Sequence, residues 1–156
     1  MKKFFKVFAL ALAVAVAVPA AKAERLPMTV DKMPSQVQLF LNEYYSGQKV
    51  AKSWAKMMRP TSEPMYYRVN LENGTKFKFS LDGNWTKINA KKSDSSITID
   101  LLPQAARDYI SSTYPDATIK YVKFKKDSYK ITLSDGQKLQ FTKEYGLKVK
   151  KSKKNS

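Results

Sequence analysis

The chain has 156 residues, with 29 Lys and Arg against 13 Asp and Glu, and a net charge of +16 at pH 7. It contains neither Cys nor His, which excludes disulfides, His-based catalytic triads and dyads, and most zinc sites. The sequence also offers no evident pair of catalytic carboxylates and no phosphate-binding glycine loop, so we expect neither an enzyme nor a bound cofactor.

Residues 1–23 have the pattern of a secretory signal peptide. The stretch "MKKFFK" supplies a basic start, an apolar run follows, and Ala21 and Ala23 are the small residues that signal peptidase requires. We place the cleavage between Ala23 and Glu24. A retained membrane anchor is the alternative, although the run is short for a bilayer span. We therefore expect a periplasmic or secreted protein, whose net charge after losing four Lys is +12.

Residues 24–88 form the first predicted unit. The segment "MPSQVQLFLNEYY", from Met33, has apolar residues at helical spacing and a proline suited to the first helical turn. A strand follows, then a hairpin at Asn73–Gly74, and a last strand near Trp85–Asn89. The "NG" pair predicts a type I′ turn, which needs positive φ angles.

The same elements recur in residues 101–149, the second predicted unit. "LPQAARDYISSTY", from Leu102, matches the first helix, Asp135–Gly136 matches the first hairpin turn, and the last strand is near Leu147–Lys150. Two tandem units, each a helix plus an antiparallel sheet, predict an α+β fold in which the units complete one core. The remaining parts are a polar connector, 89–100, and a basic tail, 150–156.

The first copy is longer than the second by seven residues, because the helices are offset by 69 positions and the hairpins by 62. The extra residues fall around "MMRPTSEP", from Met57 to Pro64. Prolines are poorly tolerated inside a sheet, so this stretch is predicted to be an exposed loop.

Alternation along the strands predicts one apolar face against the helices and one open face. On the open face, Lys and Arg would surround Trp54, Tyr66 and Tyr121. Aromatic side chains give rigid contact area and basic side chains steer an acidic partner, so this face is the candidate binding surface. A merely solvated face is the alternative. The candidate residues are Lys52, Trp54, Lys56, Tyr66, Arg68, Lys76, Lys78, Tyr121, Lys123, Lys125, Lys130 and Lys138.

The signal peptide, the "MP…FLNEYY" and "LP…YISSTYP" helices and the twice-written "Y-x-V/I-x-L-x-N/D-G-x-x-L/F-x-F" hairpin resemble the bacterial secreted PepSY-like family, also described as β-lactamase-inhibitor-like. The resemblance implies tandem α+β units outside the cytoplasm and no catalytic residues. The family's names suggest inhibition of peptidases or β-lactamases. The absence of Cys is a departure from the β-lactamase inhibitor proper, and no inhibitory loop carries over to these residues.

Two hypotheses of function follow, and they differ in the partner. The first is a non-enzymatic extracytoplasmic binding module that contacts an envelope protein through the open face. The second is a basic envelope protein that binds anionic polymers or lipid headgroups by charge, which salt would weaken. No nucleic-acid partner is expected, because secretion separates the protein from most nucleic acid, and no membrane span is expected after cleavage.

Overall fold

Antiparallel pairing between successive strands produces one continuous sheet. The computed structural model describes residues 24–90, 92, 94–142 and 146–147, and within them the strands follow chain order from one edge of the sheet to the other. The predicted signal peptide, Ala23 of its predicted cleavage site, residues 148–150 of the last predicted strand and the predicted basic tail lie outside the described residues. The strands are β1 Arg25–Pro27, β2 Val50–Met58, β3 Glu63–Leu71, β4 Thr75–Phe79, β5 Trp85–Ala90, β6 Ile119–Lys125, β7 Ser128–Leu133, β8 Lys138–Thr142 and β9 Gly146–Leu147.

Two α-helices lie on one face of this sheet, as the sequence predicted: α1 Ser35–Tyr44 and α2 Gln104–Thr113. Pro34 and Pro103 cap their first turns, where the missing N–H of proline leaves no hydrogen bond unmade. The fold class is therefore α+β, as predicted. A short 3-10 helix precedes each, Val30–Lys32 and Ile99–Leu101.

Aromatic packing fixes α1 onto the sheet. The ring of Phe40 meets Phe77 and Phe79 edge-on, with ring centres 5.7 and 5.6 Å apart. Both sheet phenylalanines are fully buried, and Val37 on the helix is buried beside them. Edge-to-face pairs add about 0.5–1.5 kcal/mol each to the free energy gained by burial alone.

The contact between α2 and the sheet is similar. Tyr109 packs edge-on against Phe141 with ring centres 6.0 Å apart, and Ala106 and Ile110 are buried. Ile97, just ahead of α2, pairs with Ile119 at the start of β6 and is buried there. One continuous core therefore runs under both helices.

Tyr45, just beyond α1, contributes a buried phenol to this core. Its ring lies 4.8 Å from that of Phe77, and its hydroxyl oxygen meets no hydrogen-bond partner among the residues that the structure describes. Burial without compensation raises the pKa of Tyr45 to about 12, because it disfavours the charged phenolate.

The hairpin turns form where "NG" and "DG" predicted them, but the type I′ prediction was wrong. Each loop has three residues, and the positive φ is confined to the glycine, +89° at Gly74 and +87° at Gly136. The Asn73 and Asp135 side chains instead accept hydrogen bonds from the backbone N–H two residues ahead. A three-residue loop matches the strand twist with only one left-handed residue, so Asn and Asp keep ordinary backbone angles.

The exposed loop predicted for Met57–Pro64 was also largely wrong. β2 and β3 continue into this stretch, pairing Met57 with Pro64 and Met58 with Glu63, and only residues 59–62 form the turn. Pro64 fits because β4 begins pairing with β3 only at Tyr67. No described strand lies on that side of Pro64 to accept a hydrogen bond, so the backbone N–H that proline lacks is not needed there. The β2–β3 hairpin therefore extends beyond the end of β4.

β5 is longer than the sequence indicated. It continues through Asn89 and Ala90, the first two residues of the predicted connector. Ala90 is fully buried opposite Thr75, which explains why the strand reaches this far.

The turn that joins β4 to β5 gives a testable prediction about packing. At Gly83, φ is +86° and an added Cβ would lie 2.8 Å from the Cβ of Gln36, at the start of α1; at Gly136, φ is +87° but the space is open. We expect Gly136→Ala to lower the free energy of unfolding by about 1 kcal/mol, from backbone strain alone. Gly83→Ala should cost about 2–4 kcal/mol, since strain and overpacking combine. Urea denaturation measures both, and equal losses would contradict this account.

A second prediction concerns the phenol of Tyr45. Tyr45→Phe should raise the free energy of unfolding by about 1 kcal/mol near neutral pH, because it removes an unpaired buried hydroxyl. The folded-state pKa of about 12 exceeds the ordinary value of 10.0, so ionisation favours the unfolded chain. The wild-type protein should therefore lose stability relative to Tyr45→Phe as the pH rises from 10 to 12. Parallel pH profiles for the two proteins would contradict the burial of this phenol.

Candidate functional site

Strand pairing places every residue of the predicted binding surface on one face of the sheet, the open face, away from α1 and α2. In β2, Ala55 is fully buried under α1, so its neighbour Trp54 lies on the opposite side. Trp54 pairs with Arg68, and Lys56 pairs with Tyr66, so these four side chains share the open face.

One row of this face consists of cations on five successive strands. Arg68 on β3 pairs with Lys78 on β4, Lys78 with Lys87 on β5, Lys87 with Lys123 on β6, and Lys123 with Lys130 on β7. We call these five residues the cation row. Trp54 and Gln140 lie at its two ends.

A second row runs parallel to the cation row and is displaced from it by two residues on each strand. Neutral side chains separate its basic ones, and Tyr121 lies near its middle. Partial burial raises the pKa of the Tyr121 phenol above its usual value. In order across the sheet, this row contains Lys52, Asn70, Lys76, Asn89, Tyr121, Thr132 and Lys138.

Several of these cations make cation–π contacts with aromatic rings. The Lys78 ammonium lies 4.0 Å above the ring centre of Tyr66, and the Arg68 guanidinium lies 5.5 Å from the same ring. The Lys87 ammonium lies 5.3 Å from the ring centre of Tyr121. Tyr66 and Tyr121 flank the cation row on opposite sides, so Lys78 and Lys87 lean away from one another. Such contacts contribute about 0.5–1 kcal/mol each at exposed positions.

The open face is strongly basic because acidic residues are almost excluded from the strands. Among the described strands, Glu63 is the single acidic residue, and it lies at the far end of the β2–β3 hairpin. Each of β1 to β8 contributes at least one cation to the open face. These are Arg25, Lys52, Lys56, Arg68, Lys76, Lys78, Lys87, Lys123, Lys125, Lys130 and Lys138.

Sequence reasoning missed two of these cations. Lys87 was overlooked because the β4–β5 turn was not aligned, and the bulge between Lys78 and Phe79 makes Lys78 pair with Lys87, where regular counting from the turn gives Thr86. Arg25 lies 5.5 Å from the ring centre of Trp54, on a three-residue edge strand too short to show a pattern.

A cleft of about 470 Å³ opens along the cation row, and four of its five members line it. It forms because a bulge after Lys78 shifts the pairing of β4 with β5, and β5 and β6 pair only as far as Lys87 and Lys123. Beyond that point the strands separate. The cleft is lined by Met65, Tyr66, Arg68, Lys78, Phe79, Ser80, Thr86, Lys87, Lys123 and Phe124.

The described residues contain no group of three or more Asp, Glu, His or Cys that could hold a metal ion. Within the same part of the chain, no helix is long and apolar enough to span a membrane.

A second cleft, about 540 Å³, lies on the helix side between α1 and the β4–β5 turn, where Leu39 is 59% exposed.

Solved structures of bacterial periplasmic proteins are similar to this chain. A Bacteroides thetaiotaomicron protein, described as a "putative calcium-regulated periplasmic protein", is 29% identical, with a TM-score of 0.70 over 80% of this chain and 94% of its own. A Bacteroides vulgatus periplasmic protein of the DUF2874 family is 26% identical, with a TM-score of 0.71 over 84% and 98% of the two chains. A third, also from Bacteroides vulgatus and of unknown function, is 22% identical with a TM-score of 0.69 over 81% and 98%, which shows the fold alone.

No curated protein matches the sequence. A sequence family described as "Putative beta-lactamase-inhibitor-like, PepSY-like" matches residues 65–149, which is more than half of the chain and includes β4 to β9 and α2. The family resemblance drawn from the hairpins and helices is thereby confirmed, and the chain belongs to the PepSY-like family.

Proposed function

We propose that this protein is a non-enzymatic, extracytoplasmic binding module and that its ligand, which carries negative charge, binds the open face of the sheet. The single observation that carries the proposal is the composition of that face. Cations from eight strands surround Trp54, Tyr66 and Tyr121, while the helices cover the opposite face. A surface of one charge sign attracts ligands of the other and raises their association rate.

Its placement outside the cytoplasm rests on two kinds of support. The sequence of residues 1–23 has the order of a secretory signal, with cleavage after Ala23. The similar solved proteins from Bacteroides are described as periplasmic. Periplasm or medium is therefore the compartment in which a ligand should be sought.

The two halves of the sheet are, we infer, tandem copies of one unit. Phe40 and Tyr109 occupy corresponding places on α1 and α2, and both pack on sheet phenylalanines. The hairpins at Gly74 and Gly136 share the same loop length and the same side-chain cap. Joining two such units through β5 and β6 doubles the width of the open face.

The family's description supports a protein partner, including inhibition of a peptidase or β-lactamase. The geometry supports an anionic polymer more strongly, because the cations form a row across five strands. We therefore favour the polymer, and a protein inhibitor is the second candidate function.

Removing charge from the open face, or from positions outside its rows, tests the proposal. The triple change Lys52→Gln, Lys78→Gln, Lys130→Gln neutralises cations spread across the open face. Lys32→Gln, Lys49→Gln, Lys126→Gln removes equal charge from a 3-10 helix, a loop and a turn outside the open-face rows. On a dextran sulfate column, the open-face variant should elute at clearly lower salt than the matched variant, because charge-driven binding depends on where the charges lie.

Elution of the two variants at the same salt concentration would overturn the open face as the binding surface. Thermal unfolding of both variants checks that each retains the fold. Wild-type protein that elutes at low salt, before either variant is compared, would argue against an anionic ligand altogether.

A further inference from the structure

From the cation row and the cleft along it, we propose that this protein binds a linear glycan that carries one carboxylate or sulfate on each sugar, and that the glycan lies across the strands. This inference rests on the proposed function, since it names the ligand of the same face. It adds the chemical class, the direction and the length of the bound segment.

The first argument is that the cation row lowers the stability of the free protein. Like charges directly opposite one another on neighbouring strands are destabilising, and Lys123 has such a neighbour on both sides, Lys87 and Lys130. The structure relieves part of this repulsion by directing Lys78 and Lys87 to rings on opposite sides of the row. An unfavourable arrangement on five strands in succession is typical of a binding site rather than of a solvated face.

The second argument is the spacing of the charges. Neighbouring strands lie about 4.8 Å apart, so the five cations cover about 19 Å in a straight line. Successive sugars in an extended glycan advance by close to one strand spacing. An extended acidic peptide presents side chains on one face only at every second residue, about 6.7 Å apart. This spacing does not match the distance of about 4.8 Å between successive cations of the row.

The third argument is the lining of the cleft. Arg68, Lys78, Lys87 and Lys123 supply the charge, while the rings of Tyr66 and Phe124 border the same space. A sugar ring has an apolar C–H face as well as polar groups, so rings beside cations match both parts of a charged sugar. Thr86 also lines the cleft, and its hydroxyl donates a hydrogen bond to the carbonyl of Lys78, which fixes the bulged backbone there.

Two matched variants on the same face test the ligand's position. Lys78→Gln, Lys123→Gln, Lys130→Gln removes three members of the cation row, and Lys52→Gln, Lys76→Gln, Lys138→Gln removes three cations of the parallel row. The probes are oligogalacturonates, with one carboxylate per sugar, and dextran sulfate oligosaccharides of the same lengths. Calorimetry should show that the first variant loses about ten-fold or more in affinity for at least one probe, while the second loses much less.

Chain length is an independent readout. Affinity should rise steeply up to about five sugars, the number that five strands can meet at one charge each, and then level off. Preference for one probe series would identify carboxylate or sulfate as the bound group. Polyglutamate of equal charge should bind more weakly than either glycan.

Equal losses in the two triple variants, or affinity that keeps rising with length, would overturn the cation row as the site but leave the open face as a diffuse cationic surface that binds anions. Polyglutamate binding as tightly as the glycans would overturn the ligand class and favour an acidic protein partner. If the open-face variant of the preceding section already behaves like its matched control, the proposed function fails instead.

A stability measurement separates a binding role from a structural one. Lys123→Gln should raise the melting temperature of the free protein, because it removes two like-charge contacts, while lowering its affinity for the glycan. A lower melting temperature together with lower affinity would mean that Lys123 supports the sheet, and would overturn the first argument.

Discussion

The packing of Phe40 against Phe77 and Phe79, and of Tyr109 against Phe141, is the interaction on which the rest of the structure depends. Successive residues of a strand point to opposite faces. Once Phe77 and Phe79 are buried under α1, Lys76 and Lys78 must project from the other side. The helical core and the basic surface are thus two consequences of one alternating pattern, and a shift of one residue in register would exchange them.

This alternation explains why the fold and the candidate surface could be predicted from the sequence. Apolar and polar residues alternate in β3 and β4, so Phe77 and Phe79 could be placed on the same face as Tyr67 and Val69 from the pattern alone. The two α-helices were predicted from apolar spacing and from a proline before each. For Trp54, the neighbouring Ala55 gave only a weak signal, and burial of Ala55 under α1 decides the face.

What could not be predicted depends on contacts between distant parts of the chain. The loops at Gly74 and Gly136 have one residue more than a type I′ turn and need a left-handed conformation only at the glycine, and the "NG" and "DG" pairs are compatible with both kinds of turn. The extension of β2 and β3 past Tyr67 requires that β4 stop short, and no local pattern in "MMRPTSEP" indicates this. The cation row needs the β5–β6 pairing, which joins residues more than thirty positions apart.

The order of the strands has a consequence for folding kinetics. Every described strand pairs with the next strand along the chain, so the sheet needs no crossover between distant strands, and this favours faster folding than a sheet built from distant pairings. The two halves meet in the sheet through three residue pairs of β5 and β6, from Lys87–Lys123 to Asn89–Tyr121, and through the bridge of Ile97 to Ile119. Local unfolding would separate the two halves between β5 and β6. A polymer bound across both halves would stabilise this contact and make the two halves unfold together.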